Sequence, residues 1–96
     1  MWSRKKLVDY VSRIASDLEG KEPPLAPHVS LAAKLVGEEL NGDMGGGIYV
    51  CRLCRKGPFT CKGYYLHLLR LHFQEILDRV LEESERIASL SRDVEF

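Results

Sequence analysis

Side-chain amides are almost missing from this chain: Asn41 and Gln74 are the only ones in 96 residues. Few thermolabile amides beside 29% charged residues point to a thermophilic source. No apolar run approaches the ~20 residues of a membrane span. The first residues lack a secretory apolar core and cleavage site. The three cysteines are too few, and odd in number, for a disulfide scaffold, which implies a reducing interior. These absences predict an intracellular protein, in cytoplasm or nucleoid, with no membrane partner. Net charge is also lacking, with 14 Lys+Arg against 14 Asp+Glu, so a whole-chain basic signature for nucleic acid is absent. No His-Glu-x-x-His pattern, phosphate loop or Ser/His/Asp arrangement is found. The glutamates at 38–39 and 82–85 read as solvated helix faces. The chain is therefore expected to be non-enzymatic, with no small-molecule substrate.

What is present is unevenly placed. Residues 44–74 carry Arg52, Arg55, Lys56, Lys62 and Arg70 and no acid, while the segments on either side are net negative. Ninety-six residues suit a single domain, 1–96. Its N-terminal part, 1–42, reads as two helices. Leu7, Val11, Ile14 and Leu18 form a stripe over 3–19, between a capping Ser3 and Gly20. Prolines at 23, 24 and 27 make a stiff connection. Val29, Ala32, Ala33, Val36 and Leu40 form a second stripe over 28–40, ended by Asn41-Gly42. Ile48-Tyr49-Val50 and the segment around Phe59 are expected to pair as a short hairpin. From 62 to 90 there is no proline and only Gly63, which predicts one long helix.

The chemistry lies in Cys51-x2-Cys54-x12-His67-x4-His72. Zn²⁺ favours four soft or borderline ligands in a tetrahedron. Two thiolates from a tight turn and two imidazoles from one helix supply that set with no open position. One structural Zn²⁺ per chain is expected, on Cys51, Cys54, His67 and His72. A set of Cys51, Cys54 and Cys61 with one histidine is a chemical alternative, against a free Cys61 thiol near the helix start. His28 reads as a surface residue. The five-residue gap between the histidines turns them about 140° apart on a regular helix. A distortion at 68–71 is therefore expected, with the helix continuing to about 90.

The segment 49–72 resembles C2H2-type zinc fingers. Tyr49 matches the aromatic before the first cysteine, Phe59 the aromatic between the ligand pairs (one residue late), and Tyr64 the apolar residue before the first histidine. More loosely, the chain is similar to small single-finger proteins of archaea and their viruses. The resemblance implies a ββα unit within 48–73. The fold class expected is then mainly α with a small ββα finger, two N-terminal helices packing on a long C-terminal helix that extends from it. It also implies base-reading positions at Thr60, Lys62, Gly63 and Leu66. Only Lys62 is a strong polar reader there.

Helical geometry places Leu66, Leu69, Phe73, Ile76, Leu77, Val80, Leu81, Ile87 and Ala88 on one face of the long helix. Burying that face predicts a cost of about 2–5 kcal/mol for Leu66→Ala and blocks base reading. What remains for nucleic acid, DNA or RNA, is phosphate contact by Arg52, Arg55, Lys56, Lys62 and Arg70, in which case the chain would act as a regulator. The alternative is a protein-interaction module, homodimer or structural subunit of an assembly, using the apolar face of the long helix.

Overall fold

The structure, a computed structural model, describes residues 3–93. The outer ends of the 1–96 domain assignment lie outside them. Four helices follow one another: α1 (Arg4–Ala15), α2 (Pro27–Glu39), α3 (Cys61–Leu71) and α4 (Phe73–Asp93). Helix α1 starts where Ser3 accepts a hydrogen bond from the Lys6 amide. It stops earlier than its apolar stripe, because Asp17 takes a left-handed backbone, φ 58°. There the Asp17 carboxylate accepts from Asn41 Nδ2 at 2.9 Å and from the Tyr49 hydroxyl at 2.8 Å. Pro27 opens α2 at a position where a missing N–H costs nothing.

The core joins all four helices. Leu7, Val8, Val11 and Ala15 meet Val29, Ala32, Ala33, Val36 and Leu40, and α4 adds Ile76, Leu77 and Val80. Gly37 lets α1 and α2 approach closely: a Cβ there would lie 2.6 Å from Ile14 Cγ2. Helix α3 inserts Tyr64 and Leu68, both fully buried. The Tyr64 hydroxyl donates to the Leu40 carbonyl at 2.6 Å, which ties α3 to the end of α2.

Two expectations are corrected. The ββα finger does not form, since no β-strand occurs among the described residues. The expected hairpin is reduced to isolated antiparallel bridges, Asp43 with Tyr49 and Tyr49 with Phe59. Glycines 45–47 all take positive φ, and the chain from Cys51 onward curls into a knuckle, so no ladder can extend. The fold is all-α and carries a Cys2His2-like ligand cluster. It is therefore not a C2H2-type finger, and that family's DNA-reading positions do not transfer.

The single long helix from 62 to 90 is also divided. His72 has φ −122° and ψ 21° and ends α3. Backbone hydrogen bonds persist on both sides, His72 N–H to Leu68 O and Ile76 N–H to His72 O. The break falls at His72 and not within 68–71, where α3 is regular. The expected face holds in part: Ile76, Leu77 and Val80 are buried, and Leu69, Phe73 and Ile87 pack partly buried against the same core. Leu66 is only partly buried, Leu71 is 65% exposed and Leu81 38%. The cost expected for Leu66→Ala falls accordingly. By contrast, α1 and α2 do pack on α4, covering Ile76, Leu77 and Val80.

Candidate metal centre

Cys51 and Cys54 sit in a knuckle closed by two backbone hydrogen bonds. Cys51 N–H donates to Lys56 O at 2.8 Å and Arg55 N–H to Cys51 O at 2.9 Å. Arg55 takes a left-handed backbone, φ 66°, to make the turn. Thr60 caps α3 by accepting from Gly63 N–H at 3.0 Å, and α3 then carries His67 toward the knuckle. The break at α3's end swings His72 to the same side. Phe59 lies against His67 with ring centroids 4.6 Å apart.

These elements bring four ligand atoms within 4.8 Å of one another. Cys51 Sγ lies 3.6 Å from His72 Nε2, and Cys54 Sγ lies 3.3 Å from His67 Nε2. A tetrahedron with Zn–S of about 2.3 Å and Zn–N of about 2.0–2.1 Å has an S···N edge of about 3.6 Å. The donor set and the spacing therefore fit a tetrahedral ion such as Zn²⁺. Cys51 is fully buried and His72 is 8% exposed, so the site is sheltered. Cys61 is not in the group; it is partly buried in the first turn of α3. His28 is exposed at the start of α2.

The electrostatics differ between the ligands. Burial pushes the Cys51 thiol up. Burial also acts upward on Cys54, but the Lys56 amide and His72 outweigh it and hold the thiol below its ordinary value. Burial pulls His67 down, helped by His72 and Lys56. Burial pulls on His72 too, yet Glu75 and Cys54 prevail and raise it. Glu75 Oε1 lies 2.7 Å from His72 Nδ1. This contact assigns the proton to Nδ1 and turns Nε2 toward the thiolates, the arrangement by which a carboxylate orients a metal-binding histidine.

Sequence reasoning missed Glu75, although its place three residues after His72 on a helix start was a readable signal. It also missed Asp17, whose hydrogen bond, with burial, pushes the Tyr49 phenol up to about 12. Nothing local marks Asp17, because its partners are 24 and 32 residues away.

The five basic residues Arg52, Arg55, Lys56, Lys62 and Arg70 are all exposed. Among the described residues none of them forms an ion pair. No helix of the described residues is long and apolar enough to cross a membrane. No family model matches the chain, and neither the curated proteins nor the solved structures include a match to it.

Proposed function

We propose that this chain is a non-enzymatic helical domain, stapled by one structural Zn²⁺, that associates with nucleic acid through phosphate contacts. Cys51, Cys54, His67 and His72 would hold the ion. Four protein ligands fill its tetrahedron, so the metal serves as a crosslink and has no position for a reacting water. The ion would join the knuckle to α3 and to the start of α4.

The observation that carries the nucleic-acid part is the charge around the knuckle. Arg52, Arg55, Lys56, Lys62 and Arg70 are exposed, unpaired among the described residues, and free of acids over 44–74. A set of free cations on a chain of zero net charge is available for phosphates. The protein-partner alternative has less support, because α1 and α2 cover the apolar face of α4 at Ile76, Leu77 and Val80.

Binding to mixed-sequence duplex DNA, single-stranded DNA and RNA at several salt concentrations tests the reading. Each phosphate contact contributes about −0.7 to −0.9 to the slope of log affinity against log salt. Replacing Arg55 and Lys56 by Ala should flatten that slope by about 1–2 and weaken all sequences alike. Absence of binding at low salt to every nucleic acid would refute it.

A further inference from the structure

A hollow of about 400 Å³ opens beside the knuckle, between the end of α2, the first turns of α4 and the chain around 50–55. Among the described residues its lining includes Arg52, Arg55 and Arg79, Glu39 as the only acid, and the apolar Leu40, Met44 and Val50. We propose that this hollow holds one nucleoside monophosphate unit, with Arg79 acting alongside Arg52 and Arg55 on the phosphate; the proposal extends the phosphate-contact reading above.

Three guanidiniums around one carboxylate leave the hollow net positive. Arg79 Nη1 donates to Glu39 Oε1 at 2.7 Å. A guanidinium has five N–H donors in a planar fork, so that bond leaves the others free. Among the described residues, neither the Arg52 nor the Arg55 side chain donates to another protein group. Paired N–H donors match the oxygens of a phosphate. The Leu40 carbonyl, which would repel an anion at the end of α2, already accepts the Tyr64 hydroxyl at 2.6 Å.

The size of the hollow argues for more than an inorganic ion. Its volume lies in the range of small-molecule pockets, about 300–1,000 Å³, far above what a bare phosphate fills. Leu40, Met44 and Val50 in the lining give a sugar and base some apolar surface to lie against. A base stacked in a duplex cannot enter a concave site with its phosphate, so the ligand is a free nucleotide or an unpaired residue of a single strand. Arg79 lies outside the basic segment 44–74 and reaches the knuckle only because α2 and α4 pack together. Glu39 competes with the phosphate for the Arg79 fork.

The test uses the full zinc-loaded chain. Adenosine 5′-monophosphate, adenosine, inorganic phosphate and a short single-stranded oligonucleotide are titrated by calorimetry and by amide chemical shifts. The variants are Arg79→Gln and Glu39→Gln, with zinc content and thermal melts confirming that each is folded. The monophosphate should bind more tightly than adenosine or phosphate and shift the amides of Val50 and Arg52. Arg79→Gln should weaken both monophosphate and oligonucleotide about tenfold, the loss expected for one charge-assisted contact. Glu39→Gln should tighten them. Monophosphate affinity unchanged by Arg79→Gln, or no better than that of phosphate, would overturn the proposal. An oligonucleotide that binds the wild type and Arg79→Gln equally would remove the hollow and leave the phosphate-contact reading standing. A monophosphate that depends on Arg79, with no nucleic acid bound at low salt, would keep the hollow as a free-nucleotide site and remove that reading.

Discussion

Stripping the metal is expected to unfold the whole domain and not the knuckle alone. The segment 43–60 has no regular secondary structure and is held by two isolated bridges, a few turns, the Tyr49–Asp17 hydrogen bond and the stacking of Tyr49 and Phe59 on Tyr64. Structural zinc in small fingers contributes about 10–16 kcal/mol, while a whole domain is stable by about 5–15 kcal/mol. Without the ion, α3 keeps its packing on α1 and the Tyr64–Leu40 hydrogen bond but loses its link to the knuckle, which loosens the hold of the core on Tyr64 and Leu68, each fully buried. Exposing a large apolar side chain forfeits about 1.5–3 kcal/mol. What remains is α1, α2 and α4, with 12, 13 and 21 helical residues, around a core rich in alanine and valine. Chains of that size rarely fold without a staple. A chelator added to the zinc-loaded protein should therefore abolish most of the far-UV helical signal, with amides of α1 and α3 exchanging together. Loss of only about a fifth of the helical signal, the share of the 11 residues of α3, with α1, α2 and α4 still protected, would refute the reasoning.

Glu75→Gln keeps the shape of the His72 contact but removes the charge, and should weaken zinc at the low end of the about 10–100-fold range for such supporting groups; a chelator competition measures it. Zinc affinity should fall as pH falls, by at least about tenfold per unit through neutrality. The raised Cys51 thiol holds a proton that the ion must displace, and the slope should steepen once pH drops into the raised range of His72. An affinity flat with pH would contradict this set of ligands. Tyr64→Phe leaves the Leu40 carbonyl buried without its 2.6 Å partner and should cost about 1–3 kcal/mol in denaturant melts, with zinc still bound one to one.

The parts of the fold that depend on local pattern were readable. The stripe Val29, Ala32, Ala33, Val36 and Leu40 is buried as its spacing required, and α2 ends within a residue of its expected stop. Helix α1 ran short because Asp17 serves Asn41 and Tyr49 and not its own helix. Tertiary partners decided that boundary, and periodicity carries no trace of them. The long helix failed for a related reason. A run without breakers predicts continuity, but a 140° offset between His67 and His72 cannot be absorbed by a regular helix. The chain resolves it with one residue of non-helical backbone at His72. That break offsets α3 from α4, so a stripe counted straight through it holds for Ile76, Leu77 and Val80 but overstates the burial of Leu66. The hairpin was read from the apolar segments at 48–50 and around Phe59, and the ββα unit from a resemblance; neither short apolar runs nor shared ligand spacing carries strand pairing with it.

The site divides along the same line. Which residues gather was legible, because cysteine and histidine are scarce and their gaps are restricted by what a tight turn and a helix can present. The structure brings Cys51, Cys54, His67 and His72 together and leaves Cys61 outside. How the site connects to the rest was not legible. Glu75 belongs to α4 and Tyr64 to α3, yet one orients His72 and the other bonds the end of α2. The ligands are thus wired into a helical core from both ends, whereas a free-standing finger would close on itself. The same wiring carries Arg79 to the knuckle, where its charge joins those of Arg52 and Arg55. A cation 24 positions from Arg55 has no signature in one dimension. As proposed, it would join a phosphate surface only once α2 and α4 have packed, which would tie any function of that surface to the stability a bound ion would provide.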